Sequence, residues 1–368
     1  MTLTTAQKIA YFLTRTPGIG VVKGRRLMEN GDVTDVEDFL YSAKSLISAK
    51  DYEELVRTFE SVDTDSFFDR VKKAGVTLIA FGEEDYPESL TPYGDMPVLL
   101  YCKGNTSLLK TPSIGVVGTR YPTHYGTRAT QEFVKALSER FCIVSGLARG
   151  VDAIAHRTAL ENGARTIAVL GCGVDVVYPA ENSDLFEDVC SNGLLLSEFA
   201  LGTSADAGNF PTRNRIISGL SRAVLVTEAG LKSGTLHTVN YALKQGKTVY
   251  GVPGSIYSDR SAGVNALIRN GEIVAVTKPE DVLEDFGERD LFGEKRPAEP
   301  EKEKKKSSMS LSEEEQKVLD YLNDNGETHF EELLARTELP VFRLTAILVK
   351  LEALKKIMKT DSNFWSVY

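Results

Sequence analysis

Two arginines, two asparagines and an aromatic ring cluster in the octet Gly208-Asn209-Phe210-Pro211-Thr212-Arg213-Asn214-Arg215, a spacing suited to gripping a phosphate backbone. Proline fits the first turn of a helix and Asn209 is a fitting cap. The octet therefore predicts a helix start whose unpaired amides and positive dipole end face Phe210 and Arg213. An ordinary capped helix with solvated arginines would read the same way, so the neighbouring loops decide. Gly118-Thr119-Arg120, Ser145-Gly146-Leu147-Ala148-Arg149-Gly150 and Lys232-Ser233-Gly234-Thr235 each combine a cation with small residues whose amides can face an anion. Arg120 and Arg149 can fork onto phosphate oxygens, and Lys232 adds a charge beside two hydroxyls.

Those loops need a scaffold that brings them to one place. Short apolar runs at Ile114–Gly118, Phe141–Ser145, Thr166–Gly171, Gly193–Ser197, Ala223–Thr227 and Thr248–Pro253 alternate with helical stretches. This order predicts an α/β fold, a Rossmann-like, doubly wound parallel sheet with helices on both faces. Ligands of such sheets bind beyond the carboxyl ends of the strands, where all four segments fall. The first loop, Gly115-Val116-Val117-Gly118-Thr119-Arg120, lacks GxGxxG spacing, and the second strand ends in Ser145 instead of a ribose-binding acid. Dinucleotide binding is not expected, a Walker lysine loop is absent, and no cofactor is assigned.

The expected layout is a helical N-terminal domain over 1–70, the core over 71–286, a charged linker over 287–308 and a winged helix over 309–368. In the first, Thr16-Pro17-Gly18-Ile19-Gly20 resembles the turn of a helix-hairpin-helix unit. There Lys23 and Arg25 would assist a DNA phosphate, or the unit would merely pack. Gly75–Tyr101 carries strand-like pieces leading into the core. In the winged helix the third helix, with Arg343 and Lys350, would enter a major groove or contact a protein.

The chain has 368 residues and a formal charge of −9, which seems to oppose nucleic-acid binding. The acids, however, crowd Glu53–Asp69 and Glu280–Glu332, whereas Leu201–Thr227 sets Arg213, Arg215 and Arg222 against Asp206 alone. Cys102, Cys142, Cys172 and Cys190 form no CxxC pair and the histidines are scattered, which argues against a disulfide framework or a metal site. No basic start precedes an apolar run and no 18-residue apolar segment occurs, so the expected location is the cytoplasm, away from membranes.

Several motifs occur in order: Ser145 to Asp152, Ala168-Val169-Leu170-Gly171, Tyr178-Pro179-Ala180-Glu181-Asn182, Leu196-Ser197-Glu198, the octet, Ser233-Gly234-Thr235, Val252-Pro253-Gly254 and Asn265 to Arg269. Together they closely resemble the DNA-processing protein A family, also called Smf. The resemblance implies a dimeric cytoplasmic protein that binds and protects single-stranded DNA and helps load the RecA recombinase during natural transformation. It places DNA contacts on Arg120, the Ser145–Gly150 turn and the Asn209–Arg215 segment, with Phe210, Arg213 and Ser233-Gly234 among them, and the loop chemistry adds Gly118, Thr119, Asn214, Arg215, Lys232 and Thr235 to the expected contacts. Phe210 would stack on a base or fill the core. Thr119 stands where the family often has serine, which keeps the hydroxyl.

The enzyme alternative is a nucleotide phosphoribohydrolase of the lysine-decarboxylase-like fold. Such enzymes carry Pro-Gly-Gly-x-Gly-Thr with a trailing glutamate, whereas this chain reads Glu228-Ala229-Gly230-Leu231-Lys232-Ser233-Gly234-Thr235. Glu198 and Glu228 lie near strand ends, where a carboxylate also caps a helix or pairs with arginine. No catalytic constellation is assigned, and a binding protein is expected. A third alternative is a transcription regulator that senses a nucleotide and reads duplex DNA.

Overall fold

A computed structural model describes residues 3–286, 313–337, 339–353, 356–361 and 364–367. The expected linker over 287–308 lies outside them. The chain divides into two compact units, Met1–Gly293 and Glu294–Tyr368.

The first unit begins with five helices: α1 (Thr5–Arg15), α2 (Val21–Asn30), α3 (Val36–Ala43), α4 (Ala49–Ser61) and α5 (Thr64–Lys73). Side-chain caps define four of their starts. Thr4 and Gln7 form a capping box at α1, and Asp35, Ser48 and Asp63 accept amide protons at α3, α4 and α5. The antiparallel pair β1 (Thr77–Ala80) and β2 (Leu99–Gly104) follows. Ile9, Leu27, Phe39, Leu55 and Phe67 of the helices share one hydrophobic core with Leu78, Leu99 and Tyr101 of that pair.

The remaining elements are β3 (Ser113–Val117), α6 (His124–Leu137), β4 (Cys142–Ser145), α7 (Val151–Glu161), β5 (Thr166–Val169) and α8 (Ser183–Asn192). After them come β6 (Leu194–Ser197), α9 (Asn209–Leu220), β7 (Ala223–Val226), α10 (Thr235–Lys244), β8 (Thr248–Gly251), α11 (Ala262–Arg269), β9 (Val274–Ala275) and α12 (Pro279–Asp285). The sheet order is β1-β2-β6-β5-β4-β3-β7-β8-β9, with every pair from β6 to β9 parallel. All six expected strands are present, extended by β1 and β2 on one edge and the two-residue β9 on the other. Runs such as Ala223-Val224-Leu225-Val226 are buried throughout, which is why helices must cover both faces. Chain order reverses at β3, since β4 lies on one side of it and β7 on the other, so a crevice opens beyond their carboxyl ends.

The glycine turn between α1 and α2 does not present a free anion site. Asp51 holds Lys23 at 2.8 Å and stands 3.1 Å from where a Cβ on Gly18 would lie, placing a carboxylate against the turn. Arg25 is buried, bonded to Glu29 and the Thr91 carbonyl, with its guanidinium 3.5 Å from the centre of the Phe81 ring. A buried arginine so engaged cannot reach a phosphate, so for Arg25 the packing alternative holds.

The second unit contains α13 (Glu313–Asn325), β10 (Thr328–His329), α14 (Phe330–Thr337), α15 (Val341–Ala353), β11 (Ile357–Asp361) and β12 (Phe364–Val367). Its sheet runs β10-β12-β11, so the expected three helices and hairpin gain a third short strand. Val318, Leu322, Leu333, Leu344, Leu348 and Trp365 form its core. Both α15 bases expected to meet DNA or a protein face acids of α13: Arg343 lies 2.8 Å from Glu314 and Lys350 2.7 Å from Glu315.

Candidate nucleic-acid interface

A cleft of about 430 Å3 opens at the reversal point, beyond β3, β4 and β7. Its walls include Gly118, Thr119, Arg120, Tyr121, Ala148, Phe210, Arg213, Asn214, Ser233, Gly234 and Thr235, drawn from all four expected segments. The convergence is enforced by the backbone. Val151 donates its amide to the Thr119 carbonyl at 3.1 Å, and Thr119 donates to the Glu228 carbonyl at 2.7 Å. Thr235 donates its hydroxyl to the Gly118 carbonyl at 2.8 Å and accepts one from Ser233 at 2.9 Å. Gly150 has φ +73°, and a Cβ there would lie 2.4 Å from the Thr119 oxygen. Only glycine lets the second loop approach the first this closely.

The second turn differs from expectation. Its amides point inward instead of toward an anion: Gly146 donates to the Asp152 carboxylate at 3.1 Å and Leu147 to Nε2 of His156 at 3.3 Å. Ser145 is fully buried, and its hydroxyl is held by the Val116 carbonyl at 2.6 Å. Leu147 is buried as well. Of this turn, Ala148 lines the cleft, while Arg149 is exposed and paired with Glu181.

The octet also divides. Helix α9 begins at Asn209 with Gly208 as its cap residue, one position earlier than expected, and Asp206 accepts the Gly208 amide at 2.8 Å. Arg213, Ile216, Ile217 and Leu220 follow the i, i+3, i+4, i+7 spacing of a core-facing stripe, and all four are buried. Arg213 donates Nη1 to the carbonyls of Gly146 (2.9 Å) and Val169, tying together the ends of β4 and β5. Burial pulls its guanidinium down to about 10, with Asp152 partly offsetting this, so it stays cationic at neutral pH. Arg215 is 3% exposed and makes a bidentate pair with Glu198 at 2.5 and 2.7 Å. Arg213 and Arg215 are thus held by internal partners, although Arg213 also lines the cleft: a guanidinium with five donors here satisfies open carbonyls and a buried carboxylate.

Among the cleft's lining residues, Arg120, Phe210 and Asn214 offer a cation, a ring and an amide. Arg120 is exposed, pairs with no carboxylate among the described residues, and lies 5.8 Å from the centre of the Phe210 ring. Phe210 is half-buried: it rests on Gly171, whose Cβ would come within 2.8 Å of the ring, and leaves part of its surface in the cleft. Its packing and its exposure therefore coexist. Tyr178, 40% exposed and 5.3 Å from Phe210 between ring centres, was not among the residues the sequence singled out as contacts. The signal was available, since an aromatic in the loop after the third expected strand falls on the same sheet edge. Lys232 is exposed but lines no wall of the cleft, and Asn209 is half-buried beside it.

Both acids considered for catalysis have structural partners. Glu228 is buried and accepts the amide and hydroxyl of Thr123, each at 2.8 Å, fixing the start of α6, while Glu198 holds Arg215. Among the described residues no cluster of His, Cys, Asp or Glu could hold a metal, and no helix is long and apolar enough to cross a membrane.

The Rossmann-like sheet and its cleft define a phosphate-suited α/β protein, and comparisons narrow the class. Residues 77–287 match the family described as DNA recombination-mediator protein A, and residues 302–353 match the DprA winged helix domain. The chain is 43% identical over 204 residues to DNA processing protein DprA of Streptococcus pneumoniae, covering 55% of this chain and 72% of that one. It is 37% identical over 280 residues to protein Smf of a Synechocystis strain, covering 73% and 70%. The X-ray structure of the S. pneumoniae protein superposes with a TM-score of 0.69 at 34% identity, covering 77% of this chain and 99% of that one. A structure of DNA processing protein A from Helicobacter pylori, described for its single-stranded DNA binding mode, superposes with 0.53 at 32% identity, covering 57% and 95%. The chain belongs to the DNA processing protein A (DprA/Smf) family.

Two predictions concern the buried side of the cleft. Arg213→Ala should lower unfolding free energy in urea by about 3 kcal/mol, because two buried carbonyls lose a charged donor, while Arg120→Ala stays within about 0.5 kcal/mol of wild type. Equal losses would contradict the division of roles.

His156 is fully buried; Nε2 accepts from Leu147, and Nδ1 bonds Thr166 at 2.6 Å. Burial, and then the Arg213 charge, push it down to about 3. The unfolded chain therefore binds one more proton between about pH 6.5 and 3, and this stability is lost as pH falls through that window. Burial pushes the neighbouring Asp152 carboxyl up, a change of opposite sign that both members of the comparison below share. Between pH 7 and 5 the wild type should lose about 2 kcal/mol more than His156→Gln, and parallel profiles would refute the neutral buried imidazole.

Proposed function

We propose that this chain is a single-stranded DNA-binding recombination mediator, cytoplasmic and homodimeric, that protects incoming DNA and helps load RecA during natural transformation. The observation that carries the reading is Arg120, an exposed cation with no carboxylate partner among the described residues, beside the half-exposed Phe210 ring in a cleft walled by four loops. Single strands bind through a charged groove with an aromatic face on which a base stacks, each such contact being worth about 1 to 3 kcal/mol. Asn214 and the Ser233-Gly234 turn supply further polar contacts. The family and the single-stranded DNA binding mode of the H. pylori relative support the same ligand. Against a nucleotide hydrolase stand Glu198 and Glu228, whose carboxylates are engaged in holding Arg215 and Thr123. On this reading the chain acts by binding, without a catalytic step. The three-part layout, with helices over 1–70, a core over 71–286 and a winged helix over 309–368 joined through 287–308, remains part of this proposal. So does a protein-contacting winged helix, because Arg343 and Lys350 already face acids.

Titrating labelled single-stranded and duplex oligonucleotides of one sequence at two salt concentrations tests the reading. Single-strand preference is expected, with Arg120→Ala reducing the slope of log affinity against log salt by about 0.7. Duplex preference points to a regulator, and release of free base from nucleoside monophosphates points to the hydrolase; either result sinks the proposal.

A further inference from the structure

Outside the cleft, a cavity of about 100 Å3 lies where α1 and α5 meet the segment that follows β6. Tyr11, Arg15, Phe67, Arg70, Ala200 and Leu201 line it, so two guanidiniums and no carboxylate share one small space. Neither arginine has an ion pair among the described residues. Arg15 closes α1 and Arg70 belongs to the last turn of α5, where the helix dipole favours a cation. The dipole accounts for each charge separately; it does not account for their convergence on one cavity.

The cavity is built on rigid aromatic walls. Tyr11 and Phe67 stack with centres 3.6 Å apart and planes at 8°, and Tyr101 meets Phe67 edge-on at 6.4 Å. Tyr101 is 1% exposed, and its hydroxyl is buried with no hydrogen-bond partner. Burial pushes that phenol up, while the nearby charges of Arg15 and Arg70 oppose the shift. The cavity has room for water and for a small anion such as one phosphate group.

Placement ties the cavity to the cleft. Tyr101 pairs in register with Ser197, the last residue of β6, so both features lie on the carboxyl edge of one sheet. In the strand order β6 stands three positions from β3, about 14 Å at the usual strand spacing. We propose that Arg15 and Arg70 form a second phosphate site, supplied by the backbone of the strand as it leaves the cleft. This rests on the single-strand reading above, although a free phosphate ion would use the same chemistry.

The test compares full-length wild type with the Arg15→Ala/Arg70→Ala double variant, whose changes fall on exposed side chains and whose fold is checked by thermal melting. In the first arm, both bind a ladder of oligothymidines. Affinity for the shortest bound length should be equal, whereas longer strands should bind the variant about tenfold more weakly, with a salt slope lower by about 1.4 for two lost contacts. In the second arm, inorganic phosphate is titrated at constant ionic strength, and stabilisation of wild type but not of the variant marks a free ion as the occupant. A difference in either arm supports the site and names its source; identical behaviour in both arms overturns it. If wild type binds no oligonucleotide of any length, the cleft reading fails, while the phosphate arm still decides this one.

Discussion

The arrangement of the cleft depends on one buried cation. Arg213 projects from the core-facing stripe of α9 and binds the carbonyls of Gly146 and Val169, which end two adjacent parallel strands. Its position beneath the second loop leaves no room for a side chain at Gly146, where a Cβ would meet Nη2 of Arg213 at 2.4 Å and Asp152 at 2.7 Å. Buried carbonyls need donors, and a charge taken from water needs compensation. Arg213 and Asp152 meet both needs across the glycine. The floor beneath Arg120 and Phe210 is thereby fixed before any ligand arrives.

With the floor fixed by internal bonds, the exposed surface has a simple composition. Backbone contacts at Thr119, Gly150 and Glu228, with the Thr235 hydroxyl, stitch three loops together and leave Arg120 as a cation without a carboxylate partner among the described residues at the opening. Phe210 gains its position from Gly171 and Tyr178, so the ring is held in place at low entropic cost while part of it stays exposed. This separation, with buried charges for architecture and an exposed charge beside an aromatic face for the ligand, suits an extended polyanion read without regard to sequence.

Much of the fold was legible. The six apolar runs that became β3 to β8 are long enough and uniform enough to report burial on both faces, and the winged helix followed from three helices and a terminal hairpin. Within the site, residue type was a better guide to location than to role. All four segments reach one sheet edge, yet small residues in the Ser145–Gly150 turn reflect tight packing over Asp152 and His156 instead of an outward anion cradle. Arg213 could have been placed inside by its spacing to Ile216, Ile217 and Leu220, a periodicity that the attraction of a basic octet obscured. Arg215 could not, because its partner Glu198 is 17 residues away and only the fold brings them together. The same holds for Arg15 and Arg70, which share a cavity only because α1 and α5 pack on one sheet edge.

The central claim is that a single strand lies along the cleft over Phe210 and beside Arg120. Photo-crosslinking an iodouridine-substituted single strand to the full chain, followed by mapping of the modified peptides, tests it most directly. The account predicts adducts on Phe210 and Tyr178, suppressed by excess unlabelled single strand and retained in the presence of duplex. Adducts confined to Val341–Ala353, with the cleft peptides unmodified, would contradict it.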